Sequence, residues 1–145
     1  MVPEINWLAV LLADVSSMII GAVWYAMPVF GRRWMRLTGI KEEDMRQGGA
    51  AVALPLIITF VVSFFTAAVL AGSAAIAQHF YDGTSFLVTA VLTAVILWIG
   101  FTAARMITHD LFDRRSSSLT VLNLAHELVT VVVMGLIIGA FGFPG

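Results

Sequence analysis

Four stretches of almost unbroken apolar sequence alternate with short polar connections: Ile5–Met27, Ala51–Gln78, Phe86–Ile107 and Leu119–Phe141. Each is long enough to cross a hydrocarbon layer of ~30 Å, which takes roughly 20 residues in a helix. None alternates with the two-residue period of a barrel strand. A backbone in lipid must satisfy its own hydrogen bonds, so all four are predicted to be helices. The link His79-Phe80-Tyr81-Asp82-Gly83-Thr84 is a tight turn with Asp-Gly as its reversal, which makes the second and third helices antiparallel neighbours. The link 108–118 is also short, and Ser116, Ser117 and Ser118 offer an N-cap for the fourth helix. The link 28–50 is longer and patterned. Phe30, Trp34 and Leu37 recur at i, i+4 and i+7, with Arg32, Arg33 and Arg36 elsewhere on the wheel. Such a segment lies in the headgroup layer, rings inward and arginines on phosphate. The predicted fold is all-α: one integral membrane domain, an antiparallel four-helix bundle with an interfacial amphipathic helix after helix one.

Charge orients this bundle. Every lysine and arginine falls in or beside two links: Arg32, Arg33, Arg36, Lys41 and Arg46 in the first, Arg105, Arg114 and Arg115 around the second. Cytoplasmic loops retain cations, so 28–50 and 108–118 are predicted to be cytoplasmic and both termini outside. Arg105 is expected to snorkel to phosphate or to pair with Asp110 or Asp113. The N-terminus, Met1-Val2-Pro3-Glu4, lacks the basic region of a cleaved signal peptide, so the first run reads as a retained anchor. Only 12% of residues are charged, against about 25% in soluble domains. Lipid is therefore the solvent for most of the surface. A net charge of −1 offers no patch for nucleic acid, and the absence of cysteine excludes disulfides and thiolate chemistry.

Helices in lipid associate through small residues that let backbones approach. Ala9, Ala13, Ser17 and Gly21 repeat at i+4 in the first run; Ser63, Ala67, Ala71 and Ala75 do so in the second; Gly135 and Gly139 form a GxxxG pair in the fourth. These stripes serve packing within the chain and could also serve a second subunit. Four short helices enclose little volume, so a permeation path is expected in a homo-oligomer, with a symmetric dimer as the default.

Two acids stand within the spans. An ionised carboxylate at the bilayer centre costs about 2.5–3.5 kcal/mol on insertion scales, so Asp14 and Glu127 are expected to face the bundle interior and to be functional candidates. Asn123, His126, Glu127 and Thr130 share one helical face, and Ser17 lies one turn from Asp14. From rise per residue, Asp14 and Glu127 differ in depth by several Å, with Ser17, His126 or water between them. The plainer alternative is that these groups only hydrogen-bond helices together. Asp14, His126 and Glu127 also have the ligand chemistry for zinc or manganese. Adjacent His126 and Glu127 diverge by about 100° on the wheel, however, which makes metal the weaker reading. No cofactor is predicted, and no phosphate loop, H-E-x-x-H or G-x-S-x-G motif supports an enzyme. Trp24 and Tyr25 close the first helix where amphipathic rings settle among headgroups.

Gly21-Ala22-Val23-Trp24-Tyr25, with Phe30-Gly31 and Trp34-Met35 after it, resembles the N-terminal signature of a bacterial membrane family known as domain of unknown function 1761. Leu111-Phe112, Arg114-Arg115-Ser116, Leu122-Asn123 and Met134-Gly135-x-x-x-Gly139 fit its second half, so the resemblance spans essentially the whole chain. It implies a four-helix protein of the bacterial inner membrane and carries over no activity and no site residues.

Three functions are compatible with these residues. The first is movement of protons or small cations, with Asp14 and Glu127 as titratable stations assisted by His126, Asn123 and Ser17. The second is a non-catalytic assembly or lipid-interaction protein built on the glycine and alanine stripes. The third is a membrane enzyme using His126 and Glu127 as an acid–base pair.

Overall fold

A computed structural model describes residues 4–45, 50–81 and 83–143, with side chains for all of these except 45 and 50–52. Residues 46–49 of the long basic link and Asp82 of the predicted Asp-Gly reversal lie outside the described residues.

The described elements are helical: α1 Trp7–Trp24, α2 Arg32–Thr38, α3 Glu42–Met45, α4 Ala50–Gln78, α5 Phe86–Leu97, α6 Ala104–Phe112 and α7 Ser117–Ala140. Four rods, Trp7–Trp24, Ala53–Gln78, Phe86–Phe112 and Ser117–Ala140, are long and apolar enough to cross a membrane, which marks an integral membrane protein. Asn6 starts α1, its Oδ1 accepting the Ala9 N–H at 3.1 Å. The helix stops at Trp24, short of Met27. Pro28 can donate no hydrogen bond, and the chain instead makes a π-turn over Met27–Gly31, closed by the Gly31 N–H on the Ala26 carbonyl at 3.0 Å. Only glycine fits at 31, because a Cβ there would strike the backbone carbonyls of Tyr25 and Ala26. Gly39, at φ 76°, ends α2 with its N–H on the Met35 carbonyl.

The third rod runs on to Phe112, past the end predicted at Ile107, through a π-helical stretch at Trp98–Ala103. Its polar last turn stays helical because it is tied to α7. Asp110 is buried, and its Oδ2 accepts the Thr120 hydroxyl at 2.6 Å. Arg115 Nε lies 3.7 Å from Asp110 and 3.6 Å from Asp113, while its backbone N–H reaches the Asp110 carbonyl at 2.9 Å. The partner of these acids is thus Arg115, where the sequence suggests Arg105. Ser116 occupies the N-cap of α7, but its side chain makes no capping bond. Asp110→Ala should therefore cost about 1.5–3 kcal/mol, the usual value of a hydrogen bond to a charged group, read as a lower unfolding midpoint in detergent.

α1 packs on α4 and α7, and α5 packs on the same two. Contacts climb one helix as they descend its neighbour: Gly139 meets Leu87 and Gly135 meets Ala90 and Ala94. Likewise Ile5 meets Gly72, and Ser17 meets Ser63. Small side chains make up much of the core, with Ala9 and Ala13 on α1, Ala67, Ala71, Ala74 and Ala75 on α4, and Ala90 and Ala94 on α5, beside larger ones such as Leu70, Phe86, Met134 and Ile138. Ser17 is buried with its stripe, and Gly21 lies against α7. Gly135 and Gly139 are buried against α5 of the same chain, so that glycine face is already occupied.

α4 departs from this close packing. Its second half is buried on one face, whereas Ala53–Val62 is exposed at every position. Bulk explains the difference. Leu54, Leu56, Ile57, Ile58 and Phe60 cannot nest where Ala67, Ala71 and Ala74 can. The bundle therefore closes at the end bearing the chain termini and opens beside α4 at the end bearing the arginines, called here the basic end.

Candidate functional site

The opening beside α4 is a cavity of about 690 Å³ between α1, α4 and α7. Its polar wall comes from Ser17 and Tyr25 on α1, Thr59, Ser63 and Thr66 on α4, and His126, Glu127 and Thr130 on α7. The rest is apolar, including Met18, Leu56, Ile58, Val62 and Met134. Glu127 brings the carboxylate, and among the described residues no lysine or arginine lines this space. The Glu127 side chain is 39% exposed, directed into this space rather than into the packed core.

His126 and Glu127 meet although helical geometry sets their Cβ atoms apart. The imidazole turns back so that Nδ1 lies 3.3 Å from Glu127 Oε1. Nε2 is then buried without a hydrogen-bond partner, over Gly21, where a Cβ would lie 3.7 Å away. The ring thus packs on Gly21 at a distance at which a Cβ would make ordinary contact. The Thr130 hydroxyl donates to the His126 carbonyl at 2.9 Å.

A ring cluster covers the basic end of the cavity. His126 lies 5.1 Å from Tyr25 and 5.8 Å from Trp24, between ring centres; Tyr25 in turn meets Trp34 at 5.5 Å, and Trp24 meets Phe30 at 4.6 Å. The Tyr25 hydroxyl donates to Asn123 Oδ1 at 3.2 Å. Trp24, Tyr25, Phe30 and Trp34 are all half-buried, turned toward one another and toward α7, while Arg32, Arg33 and Arg36 are exposed. Tyr25 is shared with a second cavity of about 520 Å³, lined by Met27, Trp34, Met35 and Glu42 among others.

Asp14 is set apart from this group. It is 0% exposed, and neither carboxylate oxygen has a hydrogen-bond partner among the described residues. The Ser17 hydroxyl donates to the Asp14 backbone carbonyl at 2.7 Å, which leaves Ser63 to donate to Ser17 across 2.6 Å. Both serines line the cavity and Asp14 does not, so the two hydroxyls stand at the boundary between the acid and the open space. With Gly21 level with His126, Asp14 sits six residues farther along the bundle axis than Glu127, or ~9 Å. The acids are therefore separated in depth and do not form a dyad. Among the described residues no three His, Asp or Glu side chains converge on a metal position, and Asp14 is too distant to join His126 and Glu127 in one.

Ser63 was legible only as a small packing residue. The signal was its spacing: Thr59, Ser63 and Thr66 at i, i+4 and i+7 put a polar strip on an otherwise apolar helix. The hydroxyls of Thr59 and Thr66 bond back to the Pro55 and Val62 carbonyls, as isolated hydroxyls in helices do. Ser63 instead reaches across to α1.

No curated protein and no solved structure matches this chain. A family described as protein of unknown function (DUF1761) matches residues 8–139, which takes in the site and all but the outermost residues of the four membrane-crossing rods. The chain therefore belongs to that family.

Proposed function

We propose that this small membrane protein moves protons or small cations across the bilayer, with Glu127 as the exchanging group. The observation that carries the reading is a half-exposed carboxylate in a cavity at membrane depth, with an imidazole at 3.3 Å and no lysine or arginine among the described residues of the wall. A carboxylate in that position is costly unless its charge is matched in turn by a proton or another cation. His126 can pass a proton to Glu127 from Nδ1, and Asn123 holds the Tyr25 ring over the basic end. Asp14 is the second station, reached through Ser17 and Ser63. The positive-inside rule puts the basic end in the cytoplasm and both termini outside, with the bacterial inner membrane as the setting. The α2 helix then lies at the cytoplasmic interface, with Arg32, Arg33 and Arg36 on lipid phosphate. A second copy of the chain belongs to this reading, since four short helices enclose little volume of their own.

Purified protein in liposomes should acidify the lumen under an imposed potential, read with an internal pH dye. Glu127→Gln should abolish that flux and Asp14→Asn should reduce it. Flux equal to wild type in both variants would remove these residues as stations.

A further inference from the structure

We propose that the α1–α4–α7 cavity binds a hydrophobic monovalent organic cation, its charge met by Glu127 and its apolar groups by Tyr25 and the aliphatic wall. This deepens the function proposed above and rests on its assignment of Glu127 as the exchanging group.

Size leaves room for a ligand larger than a bare ion. A volume of about 690 Å³ lies within the roughly 300–1,000 Å³ of small-molecule pockets. A bare metal cation would require converging oxygen ligands. The carboxylate, imidazole and hydroxyls here are instead spread over three helices.

Charge then selects the class. The titratable groups facing the space are Tyr25 on α1 and His126 and Glu127 on α7, with Asp14 behind Ser17 and Ser63; the α4 wall contributes only hydroxyls and aliphatic groups. An anion would meet Glu127 with no compensating lysine or arginine among the described residues of the lining. A neutral guest would leave the carboxylate unmatched in low dielectric. A cation satisfies it, and the Tyr25 face adds a cation–π contact. Met18 supplies adaptable surface suited to variously shaped guests.

Access supports a hydrophobic guest. Leu56, Ile58 and Val62 form one lip of the cavity and belong to the α4 stretch that no other helix covers. In a membrane that lip faces acyl chains, so a guest dissolved in lipid enters sideways without crossing the ring cluster.

The probe is tetraphenylphosphonium, with tetraphenylborate as its counterpart of the same shape and opposite charge. Equilibrium dialysis against purified protein in lipid nanodiscs should show saturable binding of the cation and none of the anion. Glu127→Gln should weaken cation binding at least about tenfold, equivalent to ~1.4 kcal/mol. Tyr25→Ala should weaken it too, while Tyr25→Phe, which keeps the ring and loses only the bond to Asn123, should retain most of it. Equal uptake of both ions, or unchanged affinity in Glu127→Gln, would overturn the proposal. Glu127-dependent proton flux without phosphonium binding would overturn the ligand class and leave proton movement standing. Glu127-dependent binding without flux would support the ligand class and overturn translocation.

Discussion

Adding one methyl group at position 139 should unseat the last helix from the third rod. A Cβ on Gly139 would lie 2.6 Å from the Leu87 Cα, 3.2 Å from the Leu87 carbonyl oxygen and 3.3 Å from the Ala90 Cβ. The nearest of these atoms are backbone, so no side-chain rotation relieves the clash. α5 and α7 must move apart, and with them the close contact at Gly135, where a Cβ would already sit 3.1 Å from the Ala90 carbonyl oxygen. Gly139→Ala should therefore cost about 1–3 kcal/mol, the range for overpacking a tight core. This is despite the roughly 1 kcal/mol by which alanine favours a helix over glycine. Gly139→Leu should prevent a monodisperse fold. The control is Gly100→Ala, where a Cβ would meet nothing within 4 Å. It should be neutral or stabilising. Unfolding midpoints in detergent report all three, and a wild-type midpoint for Gly139→Ala would refute the seam. An intact oligomer with an unfolded subunit is not an available outcome, because this glycine face is used within the chain.

The second large effect is a gain in stability bought with a loss of function. Asp14→Val removes two buried oxygens that have no hydrogen-bond partner among the described residues and puts methyl groups into the core that holds Val10 and Ala13. Leaving a polar group unsatisfied in a core costs about 1–3 kcal/mol, so a gain of that order is expected, read as a raised unfolding midpoint. Asp14→Asn keeps polar atoms in the same place and should show no such gain. Both variants should lower the flux in liposomes. A destabilised Asp14→Val would mean that the carboxyl makes a supporting contact, and the expectation would fail.

Much of this architecture could be read from residue order. Runs of apolar residues set the four rods, and the grouping of Asn123, His126, Glu127 and Thr130 at helical spacing set the polar face of α7. Their side chains do lie in one region, with Tyr25 bonded to Asn123 and the His126 ring paired with Glu127. What escaped the sequence depended on side-chain torsions and on packing between distant segments. Position on a helical wheel separates His126 from Glu127, but rotation about the side-chain bonds reunites them. Trp24 and Tyr25 have the composition of a headgroup belt, yet a π-turn closed by Gly31 folds Phe30 and Trp34 back against them. The opening beside α4 was visible in the change from leucine and isoleucine to alanine along that helix. Hydropathy alone hides it, because both halves are apolar enough to read as one span.

That opening has a consequence for how the protein would respond to its surroundings. Since every residue of Ala53–Val62 is exposed among the described residues, acyl tails become the missing wall of the chamber. Tail length and unsaturation should then set how far α4 leans and how wide the entrance stands. Occupancy of the site becomes a property shared between the polypeptide and the lipids that happen to surround it.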